Sequence, residues 1–288
     1  MRSILITGGS GAFGSAFVRY LLNITSTVPA RIAIFSRSEH RQAELRRQLE
    51  AENETTFDRC RWFIGDVRDR DRLRRAMEGI EIVIHAAALK RIEVGAYDPL
   101  EVKKTNIDGT ANVIEAALDA RVERAVLLST DKAYQPISPY GTSKAFAESL
   151  WLAANNMRGS RRTAFACVRY GNVWGSTGSV VPTWRKILET SDTVPVTDPD
   201  CTRFYMTMQG AIDLVFHTAL HAVGGEVEIP VLPAYRLGDL ADAMGAKMDI
   251  RGLPAYEKLH ESMSPSLCSG SVRRMMIEEL REALRCST

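Results

Sequence analysis

The chain has 288 residues, 45% hydrophobic and 25% charged, and its 37 basic and 35 acidic side chains leave a formal net charge of +2. This balance describes an ordinary globular protein, one large domain or one domain with a small appendage, with no electrostatic call for nucleic acid or an anionic membrane. The five cysteines are scattered without metal-ligand spacing, the first apolar run is too short for a secretory signal, and nothing approaches the ~20 apolar residues that span a bilayer, so a reduced, cytoplasmic protein without a metal is expected.

The first predicted strand, "SILITGG", runs into "TGGSGAFGSAF" and a helix over 12–23. Gly8, Gly11 and Gly14 stand between strand and helix, where glycine permits a tight turn and close approach of a pyrophosphate to backbone N–H groups at a helix N-terminus. With Ser10, Ala12 and Phe13 between them, they are expected to hold a dinucleotide. The second strand, "RIAIFSR", ends at Ser36 and Arg37, where enzymes that use NAD usually place an acid. A guanidinium suits a 2′-phosphate, so NADP is favoured, with NAD the other possibility.

A charged helix, "SEHRQAELRRQLEAE", leads to the third strand, "RWFIGDV", whose Asp66 and Val67 are expected at the adenine. "GDVRDRDRLRRAMEG" interleaves acids and arginines and reads as a solvated helix face. The fourth strand, "EIVIHAAA", carries Ala86, Ala87 and Ala88, small enough for the backbone to pass close to a cofactor. A long helical pattern over 98–120 separates it from the fifth strand, "RAVLLST", and "TAFACVRYGNVWG" supplies a sixth. Strands alternating with helices predict a Rossmann-like, doubly wound parallel α/β sheet. Its dinucleotide-binding part is placed at 1–170, joined by about 205–223, and a small discontinuous substrate lobe at 171–204 and 224–288.

Two pairs of residues near the fifth strand carry the chemistry. Tyr140 and Lys144 stand at i, i+4 on one helix face. A free phenol, with a pKa of about 10, is a poor base at neutral pH. A nearby ammonium and a positively charged nicotinamide would lower it, so that it could take a hydroxyl proton while hydride leaves. Ser129 or Thr130 would hydrogen-bond the substrate oxygen. The second pair, Asp131 and Lys132, has no use in simple alcohol oxidation.

These stretches resemble an extended short-chain dehydrogenase/reductase, and more closely the inverting UDP-N-acetylglucosamine 4,6-dehydratases of bacterial surface-sugar biosynthesis. The likeness rests on "LITGGSGAFG", "FIGDVRD", "HAAALKR", "STDKA", "PYGTSK", "RYGNVWGSTGSVVP", "TRFYMT" and "EKLHE", which span nearly the whole chain. It implies a reaction in three stages. Oxidation at carbon 4 acidifies the carbon 5 hydrogen; Lys132 as base removes that hydrogen while Asp131 as acid helps the carbon 6 hydroxyl leave; hydride then returns. Such roles require a lowered pKa at Lys132, and at Asp131 either a raised pKa or a proton taken from the substrate. The resemblance also adds Lys90, Asn106 and Tyr170 to the cofactor set. It puts Lys90, Ser129, Asn172, Val180, Arg203, Glu257 and Lys258 at the substrate, with Arg203 at its phosphates and the "GSTGSVV" backbone at its nucleotide. Residues 98–120 and 140–156 resemble helices through which this superfamily forms homodimers or larger assemblies.

The chain departs from the pattern at one point. Pro254, Ala255 and Tyr256 stand where the family has Arg-Pro-Gly before Glu257 and Lys258. The chain is also rather short for the family. The lost arginine leaves the substrate open between a nucleotide sugar and a nucleoside or its monophosphate, on which dehydration could stop at an exocyclic alkene. A nucleotide-sugar 4-epimerase and a non-enzymatic NADP sensor are the other readings.

Overall fold

A computed structural model describes residues 2–24, 28–52, 57–176 and 178–286. The elements run β1 (Ser3–Thr7), α1 (Ala12–Asn23), β2 (Arg31–Ser36), α2 (Glu39–Glu52), β3 (Cys60–Ile64), α3 (Arg70–Met77) and β4 (Ile82–His85). Two short helices follow, α4 (Ile92–Tyr97) and α5 (Pro99–Val102), then α6 (Gly109–Asp119), β5 (Arg124–Leu128), α7 (Pro139–Met157) and β6 (Ala164–Val168). The main sheet is parallel, in the order β3-β2-β1-β4-β5-β6, with β9 (Val227–Glu228) pairing beside β6 as the seventh strand. Its inner strands are apolar on both faces because helices cover both, and β1 and β6 are buried at every residue. One apolar layer packs α1 and α9 (Met208–His221) against the sheet, and the other packs α3, α6 and α7 against the opposite face. The strand order reverses between β1 and β4, which opens a crevice at the carboxyl ends of the strands.

The helical pattern over 98–120 is not one regular helix. Between α5 and α6, Lys103–Asp108 widens into a π-helical turn. The turn presents Asn106, whose Oδ1 accepts from Leu89 N at 2.8 Å and whose Nδ2 donates to Leu89 O at 2.9 Å and Ser143 Oγ at 3.0 Å.

A third apolar cluster lies beyond the sheet. It gathers residues of α8 (Val180–Leu188), β7 (Thr193–Val196), β10 (Ala234–Arg236), α10 (Leu237–Ala243) and α11 (Ile277–Arg285) around Trp184, Tyr235 and Leu240. The glycine-rich appearance of residues 171–184 concealed α8, which tolerates Pro182 because it falls in the first turn. The pairs β8 (Thr202–Phe204) with β10, β11 (Lys247–Ile250) with β7, and β12 (Ser262–Ser264) with β13 (Leu267–Cys268) complete this region. Val227–Glu228 extends the main sheet by pairing with the edge of β6. Arg169 fastens the two regions. Its guanidinium grips both oxygens of Glu148 on α7 while Nη1 donates to Met263 O on β12 at 2.6 Å. Among the described residues no helix is long and apolar enough to cross a membrane.

Candidate active site

The carboxyl ends of β1, β2 and β4 enclose a cavity of about 210 Å³. Gly8 makes it possible: its φ of +69° disfavours other residues, and a Cβ there would lie 2.9 Å from Ala87 N. At Gly14 a Cβ would meet Gly8 O at 2.5 Å, so the glycine lets α1 start against the turn. Ser10, Gly11, Ser36, Arg37, Val67 and Ala86–Ala88 line the cavity, and Ser10 Oγ donates to Ser36 Oγ at 2.8 Å. Ala12 is exposed in the first turn of α1, while Phe13 stacks on Phe17 at 5.4 Å and belongs to the apolar layer. Asp66 holds Arg68 at 2.7 Å and lies 3.8 Å from Arg37. Burial raises the Asp66 carboxyl, but Arg68 outweighs it and the net shift is downward.

The sequence pattern did not single out Ser38, Arg41 and Thr105, which also line the cavity. Thr105 Oγ1 is buried and has no hydrogen-bond partner among the described residues. The cradle that a Cβ would fill, the helix N-terminus and this orphaned hydroxyl fit a dinucleotide.

Next to the cavity, β5 leads into Ser129 and Thr130, and a single 3₁₀ turn, Asp131–Ala133, carries the second pair. Thr130 caps the turn and Ser138 caps α7, where Pro139 takes the first helical position. Tyr140 is 8% exposed. Burial pushes its phenol up to about 12, against the lowering effect of Lys132. The cation that lowers the phenol is thus Lys132, where Lys144 was expected. Lys144 Nζ instead donates to Leu128 O at 2.7 Å, and burial brings its ammonium down to about 8. Tyr170, buried in the apolar layer, has its phenol raised by burial and by Tyr140. Lys90 is exposed just beyond Ala88.

Lys132 Nζ lies 3.1 Å from Asp131 Oδ1, 3.3 Å from Glu261 Oε1 and 3.4 Å from Asn172 Oδ1. Burial alone would lower its pKa, but Asp131 and Glu261 overcome that and raise it. This corrects the expected lowering: the second carboxylate comes from a segment remote in sequence. Glu261, 2% exposed, was not among the expected site residues, although it closes the "EKLHE" stretch. Ser129 Oγ, Asp131 Oδ2 and Glu261 Oε2 are buried without hydrogen-bond partners among the described residues. Buried acceptors of this kind call for donors from a bound molecule or from water.

At the substrate end, Arg203 is 5% exposed. It pairs with Glu257 at 2.5 Å and donates to Thr202 O at 2.7 Å and Leu259 O at 3.2 Å. Lys258 Nζ donates to Tyr134 O at 2.7 Å and lies 3.8 Å from Glu261. Arg203, Glu257 and Lys258 are therefore engaged with protein partners, and Val180 packs against the third apolar cluster. In the "GSTGSVV" segment, Thr177 lies outside the described residues.

A sheet of this order, with a glycine-lined cavity at its reversal and Tyr140 and Lys144 beside β5, defines an extended short-chain dehydrogenase/reductase. A family profile described as "Polysaccharide biosynthesis protein" matches residues 4–276, and the chain belongs to that family. It is 42% identical over 269 residues to an inverting UDP-N-acetylglucosamine 4,6-dehydratase of Campylobacter jejuni, covering 92% of this chain and 78% of that protein. It is also 36% identical over 272 residues to a UDP-glucose 4-epimerase of Rickettsia rickettsii, with coverage of 92% and 78%. Among solved structures, Pen from Bacillus thuringiensis superposes with a TM-score of 0.91 at 33% identity, over 99% of this chain and 98% of that one.

Proposed function

We propose that the chain is an NAD(P)-dependent dehydratase that removes water from a nucleotide sugar, a UDP-hexose of the N-acetylglucosamine kind being the first substrate to try. The observation that carries this reading is the buried group Asp131–Lys132–Glu261 beside Tyr140, an acid–base apparatus beyond what alcohol oxidation needs. A bound nicotinamide would supply the acceptor and later the donor of hydride. Tyr140 takes the proton of the carbon 4 hydroxyl, with Ser129 and Thr130 orienting that oxygen. Once carbon 4 is a ketone the carbon 5 hydrogen is acidic, and Asp131 and Lys132 move the two protons of the elimination. Residues 171–204 and the segment after β9 serve as the substrate lobe.

Ser36, Arg37 and Arg41 at the rim of the cavity support NADP over NAD, since two guanidiniums suit a 2′-phosphate. A cytoplasmic homodimer or larger assembly, built on the faces of 98–120 and 140–156, accompanies this reading. A monomer in sedimentation at micromolar concentration would end the assembly part of it.

The relative with an epimerase name favours a second reading, UDP-hexose 4-epimerase. An epimerase removes no proton from carbon and loses no water, so it has no task for Asp131 and Lys132. Incubation with UDP-N-acetylglucosamine and UDP-glucose, followed by mass spectrometry, separates the two. A product lighter by one water supports the dehydratase, and a product of unchanged mass supports the epimerase.

A further inference from the structure

Arg169 follows the last residue of β6, and its backbone N–H donates to Glu228 O at 2.9 Å. From this fixed point its side chain faces two regions. Nε donates to Glu148 Oε1 at 3.0 Å and Nη2 to the other oxygen of that carboxylate, while Nη1 donates to Met263 O on β12 at 2.6 Å. Glu148 is buried on the face of α7 that carries Tyr140 and Lys144, since the three stand at successive i, i+4 positions. The guanidinium carbon also lies 5.7 Å from the centroid of the Tyr134 ring, at the end of the turn after β5. A second fastening runs alongside, where Lys258 Nζ donates to Tyr134 O at 2.7 Å. The segment 257–263 is thus held on both sides. Leu259 O accepts from Thr202 N of β8 at 2.9 Å, and Arg169 and Tyr134 tie the segment to α7 and the turn. A guanidinium presents its donors as a rigid planar fork, so it can grip a carboxylate with two of them and still reach a carbonyl; an ammonium on a flexible stem has no such geometry.

We propose, resting on the dehydratase reading, that Arg169 is a positioning residue for the reaction. It holds the segment 257–263, which brings Glu257, Lys258 and Glu261 to the site, at a set distance from the α7 face of Tyr140 and Lys144. A hexose seated against that segment then presents its carbon 4 to Tyr140. Glu148 and Tyr134 act through Arg169 as its anchors.

Arg169 does not line the cofactor cavity, and its donors are taken by Glu148 and Met263, so its effect on the chemistry passes through the parts it joins. Those parts must agree closely. The oxidation removes a proton and a hydride from one carbon and its oxygen, so the sugar must meet Tyr140 and the nicotinamide together, and a misplacement of about 1 Å can cost about 100-fold in rate. Slack in the segment 257–263 would leave the cofactor where it is and the remainder of the substrate lobe in place, but it would let the reacting carbon drift. The loss therefore falls on turnover and spares binding.

Arg169→Lys tests the proposal, because it keeps the charge beside Glu148 and removes the fork. With UDP-N-acetylglucosamine, kcat should fall by roughly tenfold or more while KM stays within about threefold. NADP should bind within about threefold by calorimetry, and the urea midpoint should stay close to that of the unaltered protein. Glu148→Gln leaves the fork one neutral acceptor and should lose kcat in the same direction by a smaller factor; it carries the test if Arg169→Lys does not fold. Amide hydrogen exchange of the NADP-loaded protein supplies a readout without substrate: Arg169→Lys should speed exchange across 257–268 and leave β1 and α1 unchanged. Full kcat in Arg169→Lys overturns the proposal. So does a fall in kcat matched by an equal weakening of NADP binding or by a lowered urea midpoint, which would make Arg169 a support of the fold alone. If the unaltered protein removes no water from this substrate, the dehydratase reading fails for this substrate class, and the exchange result still decides the tether: faster exchange across 257–268 sustains it, and unchanged exchange overturns it.

Discussion

Gln42 Nε2 donates to Ser36 Oγ at 2.8 Å and to the Ser36 carbonyl at 3.0 Å, which fixes the end of β2 at the rim of the cofactor cavity. Beside Ser36, Arg37 and Arg41 supply the positive charges that line the cavity. Calorimetric titration should therefore give a lower Kd for NADP than for NAD. Arg37→Ala should weaken NADP about tenfold, or about 1.4 kcal/mol, with little change for NAD. Tighter binding of NAD by the unaltered protein would reject the assignment of the 2′-phosphate site.

The order of the chemistry makes a second prediction. Tyr140→Phe removes the group that takes the first proton, so it should abolish cofactor reduction and water loss alike, by about 100-fold or more. Asp131→Asn and Lys132→Ala, acting later, should still let the ketone form and should accumulate reduced cofactor, seen as near-ultraviolet absorbance in a single turnover. Variants of Asp131 and Lys132 that never reduce the cofactor would place both residues before the oxidation.

His85 makes a prediction about stability. It is fully buried between Thr7 Oγ1 at 2.7 Å and Thr110 Oγ1 at 3.1 Å, and burial lowers its pKa from 6.5 to about 3. Above pH 6.5 it is neutral both folded and unfolded and adds no pH dependence. Below 6.5 the unfolded chain takes up a proton that the folded chain refuses, so stability falls by at most about 1.4 kcal/mol per pH unit until pH nears 3. Urea denaturation between pH 7 and 4.5 should show this slope, and His85→Asn should flatten it. Equal slopes in the two proteins would mean that His85 takes up its proton in the folded state.

The turn after β1 makes a fourth. Gly14→Ala sets a methyl 2.5 Å from Gly8 O, a contact that only a shift of backbone can relieve. A loss of about 1–3 kcal/mol in chemical denaturation is expected, with cofactor binding weakened as well. A stable variant that binds cofactor normally would show that the start of α1 has room to move.

The parallel strands were legible because both faces of the sheet are covered, so each strand reads as a short apolar run bounded by turn residues. The glycine turn and the Tyr140–Lys144 helix were legible for a related reason, since their spacing is local. What the sequence concealed is non-local. Glu261 lies far along the chain from Lys132, and only the fold sets it 3.3 Å away. That one carboxylate, together with Asp131, reverses the expected direction of the Lys132 shift. The pairing of Arg203 with Glu257 and the placement of Val227–Glu228 beside β6 were hidden in the same way. The helix α8 was hidden differently, by the glycines and Pro182 around its start.

The wide turn at Lys103–Asp108 makes this helix sensitive to its residue count. A substitution there changes one side chain, but loss of a single residue would let the turn tighten into α-helix and rotate everything before it by about 100°. Asn106 would then swing away from Leu89 and Ser143, and the loop beside the cofactor would lose its tie to the helix that carries Tyr140. Point changes across this segment should thus be tolerated far better than one-residue deletions, and its length should be among the most constrained features of the chain.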